Sequence, residues 1–125
     1  MTDRVGIFLV SEVGSNEFYF TLKATNGEAI GISQSFLTYS ACIDGINSVR
    51  KYAATAEMIT QGEAKYPKFD IFTDDVGKYR FCLYDADANV ILASGAYTTK
   101  ASAINGCEAV KKYSPAAVVE EQDNS

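Results

Sequence analysis

The chain has 125 residues, of which 47% are hydrophobic and 22% are charged, and its formal net charge is −5. This length and composition are typical of one soluble globular domain with its own core, so extensive disorder is excluded. No apolar stretch reaches the roughly 18 residues that a membrane-spanning helix requires. Histidine is absent, which excludes histidine-based catalytic triads and histidine metal sites.

The acidic charge is concentrated at the C-terminus, where Glu120, Glu121 and Asp123 lie within the last six residues. Removing these three from the 16 acidic residues leaves 13 against 11 basic ones. Such a nearly neutral body argues against nucleic acid and membrane surfaces as partners. Residues 1–4 are not followed by the apolar stretch of a secretory signal, so we expect a cytoplasmic protein.

Three cysteines, Cys42, Cys82 and Cys107, are widely spaced and include no Cys-x-x-Cys motif. An odd number without histidine partners does not match a structural zinc site. We expect reduced cysteines that serve as small buried hydrophobic residues.

The chain repeats itself with an offset of 61 residues. Residues 18–52 align with residues 79–113, and ten of these 35 pairs are identical. The identical pairs include Phe20/Phe81, Ser33/Ser94, Thr38/Thr99, Gly45/Gly106 and Val49/Val110. The duplication therefore predicts one structural unit that occurs twice.

The first copy predicts three strands before its helix. An apolar strand at residues 7–10 is followed by a glycine-bearing turn, and residues 18–23 alternate apolar and polar side chains. Asn26-Gly27 then favours a type I′ hairpin into a third strand at residues 29–33. In the second copy the corresponding strands are residues 69–72, 79–84 and 90–94. The second copy has Asp87-Ala88-Asn89 at the hairpin, so we expect a looser turn there.

Each copy then predicts one helix and one last short strand. Thr38 and Thr99 are suitable N-cap residues, and basic pairs in the last turns suit the helix dipole. Gly45 and Gly106 lie in the middle of the helices, each costing about 1 kcal/mol relative to alanine. We infer that the helix backbone packs closely against the sheet or the partner helix. The last strands are expected at residues 56–59 and 116–119.

Four stretches resemble the YegP-like family: residues 22–28, residues 33–45, residues 97–106 and Val110-Lys111-Lys112. This family comprises small bacterial proteins of unknown function that occur as tandem repeats or as dimers of single repeats. The resemblance implies a β-β-β-α-β unit used twice, with the last strands exchanged between units. The chain departs from the family at Ala88-Asn89 and at Cys107. The resemblance implies no catalytic residues.

We therefore predict an α+β fold in which two tandem β-β-β-α-β repeats form one antiparallel sheet, with exchanged C-terminal strands and both helices on one face. The repeats span residues 1–61 and residues 62–120, and residues 121–125 form an acidic disordered tail. Because the second repeat supplies the partner of the first, we expect a monomer.

Two acidic motifs are interpreted as turns. Asp85-Ala86-Asp87-Ala88-Asn89 resembles the start of an EF-hand loop, but the sixth and twelfth positions lack the glycine and glutamate that calcium binding needs. Asp74-Asp75 precedes Gly77 in a hairpin, where aspartate commonly accepts backbone hydrogen bonds. The chain also lacks phosphate-binding and nucleophile motifs, so no catalytic residue, metal or cofactor is predicted.

The uncovered face of the sheet is the candidate binding surface. Its residues are Tyr19, Lys23, Phe72, Arg80 and Tyr84. Aromatic and arginine side chains on an open sheet can dock a protein or a small ligand, although these positions also suit a second layer of packing or ordinary half-exposed strand residues. We predict a non-enzymatic binding or interaction module. The alternatives are a small enzyme with a Cys, Lys or Tyr centre, and a structural or stress-related protein without a ligand.

Overall fold

The structure is a computed structural model that describes residues 5–14, 16–59 and 65–122. Within these ranges lie eight strands and two helices. The strands are β1 (Ile7–Val13), β2 (Glu17–Lys23), β3 (Ala29–Ile32), β4 (Glu57–Ile59), β5 (Lys68–Thr73), β6 (Tyr79–Tyr84), β7 (Val90–Ala93) and β8 (Val118–Glu121). The helices are α1 (Tyr39–Ala53), between β3 and β4, and α2 (Lys100–Tyr113), between β7 and β8.

All eight strands belong to one sheet, in the order β4-β5-β6-β7-β3-β2-β1-β8. The last strand of the first repeat, β4, pairs with β5 of the second repeat, and β8 of the second repeat pairs with β1 of the first. The predicted α+β fold with two repeats and exchanged C-terminal strands is therefore confirmed. The central seam between the repeats is the pairing of Ile32 with Ala93.

The expectation of an entirely antiparallel sheet needs a correction at its two edges. The six central strands are antiparallel, whereas β4 and β8 run parallel to their neighbours, so the sheet is mixed. A short hairpin forces antiparallel pairing, but β4 and β8 each follow a helix. A strand that arrives through a helical crossover is free to pair in the parallel direction.

Both helices pack on one face of the sheet. α1 lies over β2, β6 and β7, and α2 lies over β3, β5 and β6, so each helix covers strands from both repeats. The strand side chains beneath the helices form one hydrophobic core between the two layers. The largest of these fully buried side chains are Phe8, Phe20, Leu22, Phe69, Phe81, Leu83 and Leu92.

Basic residues near the helix ends connect the two repeats. Arg50 of α1 donates hydrogen bonds to the carbonyl oxygens of Ser114 (3.3 Å) and Ala117 (2.6 Å), between α2 and β8. Its counterpart Lys111 of α2 donates to the carbonyl oxygen of Ala53 (2.9 Å), at the end of α1. Each cation thus compensates the carbonyl end of the other helix. We call these bonds the reciprocal cation contacts.

The helices begin as predicted, and their glycines lie against aromatic rings. The Thr38 hydroxyl accepts a hydrogen bond from the Ala41 N–H at 3.0 Å, and Thr99 accepts one in the same way. A Cβ atom added to Gly106 would lie 2.6 Å from the Tyr97 hydroxyl oxygen and 2.8 Å from Cε2 of Phe81. The inferred close approach is therefore present, and its partners are rings of the sheet and of the loop before the helix.

Ser33 and Ser94 lie where the third strand of each repeat ends, and their hydroxyl groups replace backbone partners there. The Ser94 hydroxyl accepts a hydrogen bond from the Phe81 N–H at 2.8 Å and donates one to the Gly95 carbonyl oxygen at 2.7 Å. Ser33 makes the same two contacts in the first repeat. The identity of these serines is thus explained by the backbone groups that they satisfy.

The hairpin between β2 and β3 differs from the predicted type I′ turn. Of its turn residues, all of which the structure describes, only Gly27 has a positive φ, at 87°. The Gly27 N–H donates to the Ala24 carbonyl oxygen, as in a type I turn closed by a left-handed residue. Ala88 takes the position of Gly27 in the second repeat, with φ at 68°, and donates the equivalent hydrogen bond to Asp85. The expectation of a looser second turn is therefore wrong.

Part of the expected acidic tail belongs to the sheet. Glu121 is the last residue of β8, and the backbone N–H of Gln122 donates to the Val10 carbonyl oxygen at 2.8 Å. Residues 123–125 lie outside the described residues.

Replacing Gly106 with alanine is expected to destabilise the protein by about 1 kcal/mol. Overpacking against a fully buried ring costs about 1–3 kcal/mol, which exceeds the gain of about 1 kcal/mol in helix propensity. Gly45→Ala should cost less, since the fully buried ring nearest to its added Cβ, that of Phe20, lies at 3.2 Å, whereas the Phe81 ring lies at 2.8 Å from the Cβ added to Gly106. Urea unfolding of both variants measures the difference, and a Gly106→Ala variant as stable as the wild type would contradict the packing argument.

Replacing Ser114 with alanine is expected to stabilise the protein by about 1 kcal/mol, raising Tm by about 4 °C. The Ser114 hydroxyl is fully buried and has no hydrogen-bond partner among the described residues, and alanine already occupies the equivalent position 53. Calorimetry measures the change. Ser94→Ala is the matched control, because the same substitution there removes two hydrogen bonds and should lower Tm.

Candidate functional site

Strand residues that alternate with the core residues point away from both helices, and we call this surface the open face. By register and alternation it includes Ile7, Leu9, Tyr19, Thr21, Lys23, Ile32, Lys68, Asp70, Phe72, Arg80, Cys82, Tyr84 and Ala93. No described element covers this face. All five residues singled out from the sequence therefore lie on one uncovered surface.

The five residues form two groups on opposite sides of the central seam. Tyr19 and Lys23 lie on β2, whereas Arg80 and Tyr84 lie on β6, opposite Phe72 and Lys68 of β5. Strands β3 and β7 separate β2 from β6, which makes the distance between the groups about 14 Å. The 61-residue offset relates Tyr19 to Arg80 and Lys23 to Tyr84, so the groups are equivalents in a pseudo-symmetric sheet.

A shallow apolar groove of about 350 Å³ lies between the two groups. Ile32 pairs with Ala93, its own equivalent in the other repeat, so the pseudo-twofold axis passes through this pair. Residues that line the groove are Thr21, Ala29, Ile30, Gly31, Ile32, Ala93 and Gly95. The Ile32 side chain is 46% exposed, which leaves apolar surface at the centre of the open face.

An aromatic cluster around Lys68 lies at one end of the open face. The Lys68 ammonium nitrogen is 4.8 Å from the ring centre of Tyr66 and 5.5 Å from that of Tyr84. The two rings contact each other edge to face, with centres 5.6 Å apart. Burial, followed by the nearby Cys82 thiol and the Asp70 carboxylate, raises the pKa of Tyr84.

Tyr66, Lys68 and Asp70 were not predicted to belong to this surface. The first strand of the second copy was expected to begin at Phe69, so Tyr66 and Lys68 fell outside every predicted strand. The available signal was the period of two, since Lys68 and Asp70 share the parity of Phe72 and therefore its face.

Arg80 is held in place by Asp74. The guanidinium Nε lies 2.8 Å from the carboxylate Oδ2, and this contact is the main reason that the pKa of Asp74 is lowered. The other carboxylate oxygen accepts hydrogen bonds from the backbone N–H groups of Val76 and Lys78. Asp74 is thus a turn residue, as predicted.

Asp85 has the same role in the neighbouring hairpin, where it accepts from the N–H groups of Asp87 and Asn89. The predicted turn therefore accounts for the calcium-like motif. Within the described ranges, no group of three or more Cys, Asp and Glu residues is arranged to hold a metal ion. Neither described helix is long and apolar enough to cross a membrane.

The open face differs chemically between the repeats. In β5 it carries Lys68, Asp70 and Phe72, and the equivalent positions in β1 are Ile7, Leu9 and Ser11. The two halves thus share a backbone arrangement, but their first strands present different side chains on this face: two charged residues and one aromatic residue in β5, and two aliphatic residues and one serine in β1.

The three cysteines are free thiols in different environments. Cys42 and Cys107 are fully buried, as predicted, and burial raises their pKa values to about 11 and about 12. Cys82 is half-buried on the open face, opposite Asp70. Burial and the Asp70 carboxylate raise the pKa of Cys82 against the opposing effect of Arg80. All three thiols therefore stay protonated near neutral pH.

Comparisons with known proteins extend over both repeats. The family described as "Domain of unknown function (DUF1508)" matches residues 15–59 and residues 74–121. A UPF0339 protein encoded in the ptx operon 5′ region of Stutzerimonas stutzeri is 34% identical over 119 residues, covering 95% of this chain and 98% of that protein. A UPF0339 protein of Treponema denticola is 41% identical over 54 residues, covering 43% of this chain and 93% of that protein. The solution NMR structure of the protein of unknown function yegP from E. coli is similar with a TM-score of 0.82 at 28% identity, covering 100% of this chain and 99% of that one.

In the folded protein at pH 8, Cys82 is expected to react first with a thiol reagent, and Cys42 and Cys107 only after unfolding. A pKa of about 11 leaves about one thiol in a thousand as the reactive thiolate at this pH, and burial blocks access as well. Counting thiols with Ellman's reagent, with and without urea, tests this order. The Cys82→Ser variant is the control, and rapid labelling of that folded variant would contradict the assignment.

Proposed function

Because the chain belongs to the YegP-like UPF0339 family, we propose that it is a non-enzymatic binding module whose open face contacts the partner. The observation that carries this proposal is the uncovered sheet face with an apolar groove at its centre and aromatic and cationic side chains on both sides. A sheet face left bare in a two-layer fold is a surface available for a third layer.

The exposed apolar area supports a binding role. Ile32, Phe72 and Val90 lie on or beside the open face with 46%, 39% and 39% of their surface exposed. Exposed apolar side chains among polar residues on one face are typical of interaction sites. Tyr19 on one side of the groove and Tyr84 on the other add rigid aromatic contact area at low entropic cost.

The charges on the open face indicate the chemistry of the partner. Lys23 and Lys68 lie on opposite sides of the groove, and Arg80 keeps 41% of its side chain exposed while paired with Asp74. A protein or small ligand with an apolar body and acidic groups at its ends would match this distribution. The nearly neutral protein body remains an argument against nucleic acid.

An enzyme with a cysteine, lysine or tyrosine centre is less well supported. A nucleophilic thiol needs a lowered pKa, and the pKa values of all three cysteines are raised. The described contacts of the Lys68 ammonium group are with the rings of Tyr66 and Tyr84, and it forms no ion pair with a described acidic residue. We also propose that the protein acts as a monomer, because the exchange of strands is completed within one chain.

Arg80→Ala combined with Tyr84→Ala is expected to reduce partner capture at least about tenfold, because buried aromatic and arginine side chains carry most of the binding energy at interfaces. The measurement is quantitative mass spectrometry after affinity capture from a lysate of the cells that produce the protein. The matched control combines Lys51→Ala with Glu108→Ala, two exposed helix residues far from the open face. Equal capture by all three proteins would refute the open-face proposal.

A further inference from the structure

The geometry points to a second interaction surface, and we propose that the outer edge of β8 binds an extended basic polypeptide segment as an added strand. This surface lies at the end of the sheet and is independent of the proposed role of the open face. It combines a free strand edge, a pattern of two valines and two glutamates, and an acidic cavity lined by aromatic rings.

The backbone of β8 presents unpaired groups at this edge. The N–H groups of Val118 and Gln122 donate to Gly6 (3.1 Å) and Val10 (2.8 Å), so the inward-facing residues of β8 are those with even numbers. The N–H and carbonyl groups of Val119 and Glu121 therefore point outward, where no described strand pairs with them. All four residues of β8 are exposed. Such an edge is a template for strand addition.

The side chains of β8 specify what the added strand should carry. Pairing with Leu9 places Glu120 on the side of the open face, and pairing with Val10 places Glu121 on the helix side. In an added strand, lysine or arginine is favoured directly opposite each of these glutamates, one on each side of the sheet. Residues opposite Val118 and Val119 would be favoured as apolar.

A cavity of about 170 Å³ lies next to Glu121, on the helix side of the edge. It is lined by Val10, Glu12, Phe18, Tyr39, Glu121 and Gln122. The rings of Phe18 and Tyr39 contact each other edge to face at 6.0 Å. This volume is enough for an ammonium or guanidinium head group. Two carboxylates and two aromatic rings form a favourable environment for such a cation.

Charge decides between the possible occupants of this edge. A second copy of β8 would place glutamate opposite glutamate if it paired in parallel and in register, or antiparallel with Glu120 at the centre, and like-charge repulsion disfavours both pairings. The opposite edge strand, β4, consists of Glu57, Met58 and Ile59 and so offers no basic residue either. A segment of another chain with two apolar residues followed by two basic ones, read in the direction of a parallel strand, has the matching pattern.

The first test uses a fluorescent peptide, Ser-Thr-Val-Val-Lys-Lys-Thr-Ser, and the same peptide in reversed order for antiparallel addition. Val119→Pro removes an outward N–H and leaves the bonds between β8 and β1 intact, whereas the control Val119→Ala keeps that N–H. We expect binding to Val119→Pro, measured by fluorescence anisotropy, to be about tenfold weaker than to Val119→Ala. Equal affinities would overturn strand addition.

The second test exchanges the charges. Glu120→Lys combined with Glu121→Lys should abolish binding of the lysine peptide and create binding of a peptide with glutamates at the two lysine positions. Persistent binding of the lysine peptide to this folded variant, verified by its thermal unfolding, would overturn the assignment. A wild-type dimer in analytical ultracentrifugation that Val119→Pro disperses would also overturn it, in favour of a second copy of this chain.

Discussion

Each repeat ends in a strand that pairs with the first strand of the other repeat, and the remaining contacts depend on this exchange. The helices cross the central seam and lead to β4 and β8 at opposite edges, so each helix covers strands of both repeats, and the buried side chains of the described residues form one core. The reciprocal cation contacts of Arg50 and Lys111 lie at the same crossing points. Because a unit of about 60 residues buries little core alone, the exchange supplies the area that each unit lacks.

The fold was predictable because the duplication provided two independent observations of each element. Three local features recur at the same offset: the alternation at Phe20 and Leu22, the N-cap Thr38 and the mid-helix Gly45. The structure confirms the interpretation of each. Strand direction at the edges was not predictable, since a helix leaves it open. The loop geometry at Gly27 was also missed, because Asn-Gly is compatible with both a two-residue and a three-residue loop.

Surface features were harder to predict from the sequence than core residues. Alternation placed Tyr19 and Arg80 on the open face, because parity within a strand is a local property. The groove at Ile32 and Ala93 depends on which strands meet at the seam, and the cavity at Glu121 depends on which strand reaches the edge. The groove and the cavity both depend on contacts between residues distant in sequence, which the strand exchange determines. Local sequence patterns therefore do not predict them. The same limit explains why Glu121 and Gln122 were interpreted as part of a tail.

The duplication within one chain has a consequence for how the surfaces evolve. In a symmetric dimer of identical repeats, any substitution appears twice, so the two halves of a shared sheet must carry the same side chains. A fused chain escapes this constraint, and the contrast of Ile7 and Leu9 with Lys68 and Asp70 is the result. Mutation can therefore alter one half of the sheet surface while the other half, and the core that both share, keeps its residues.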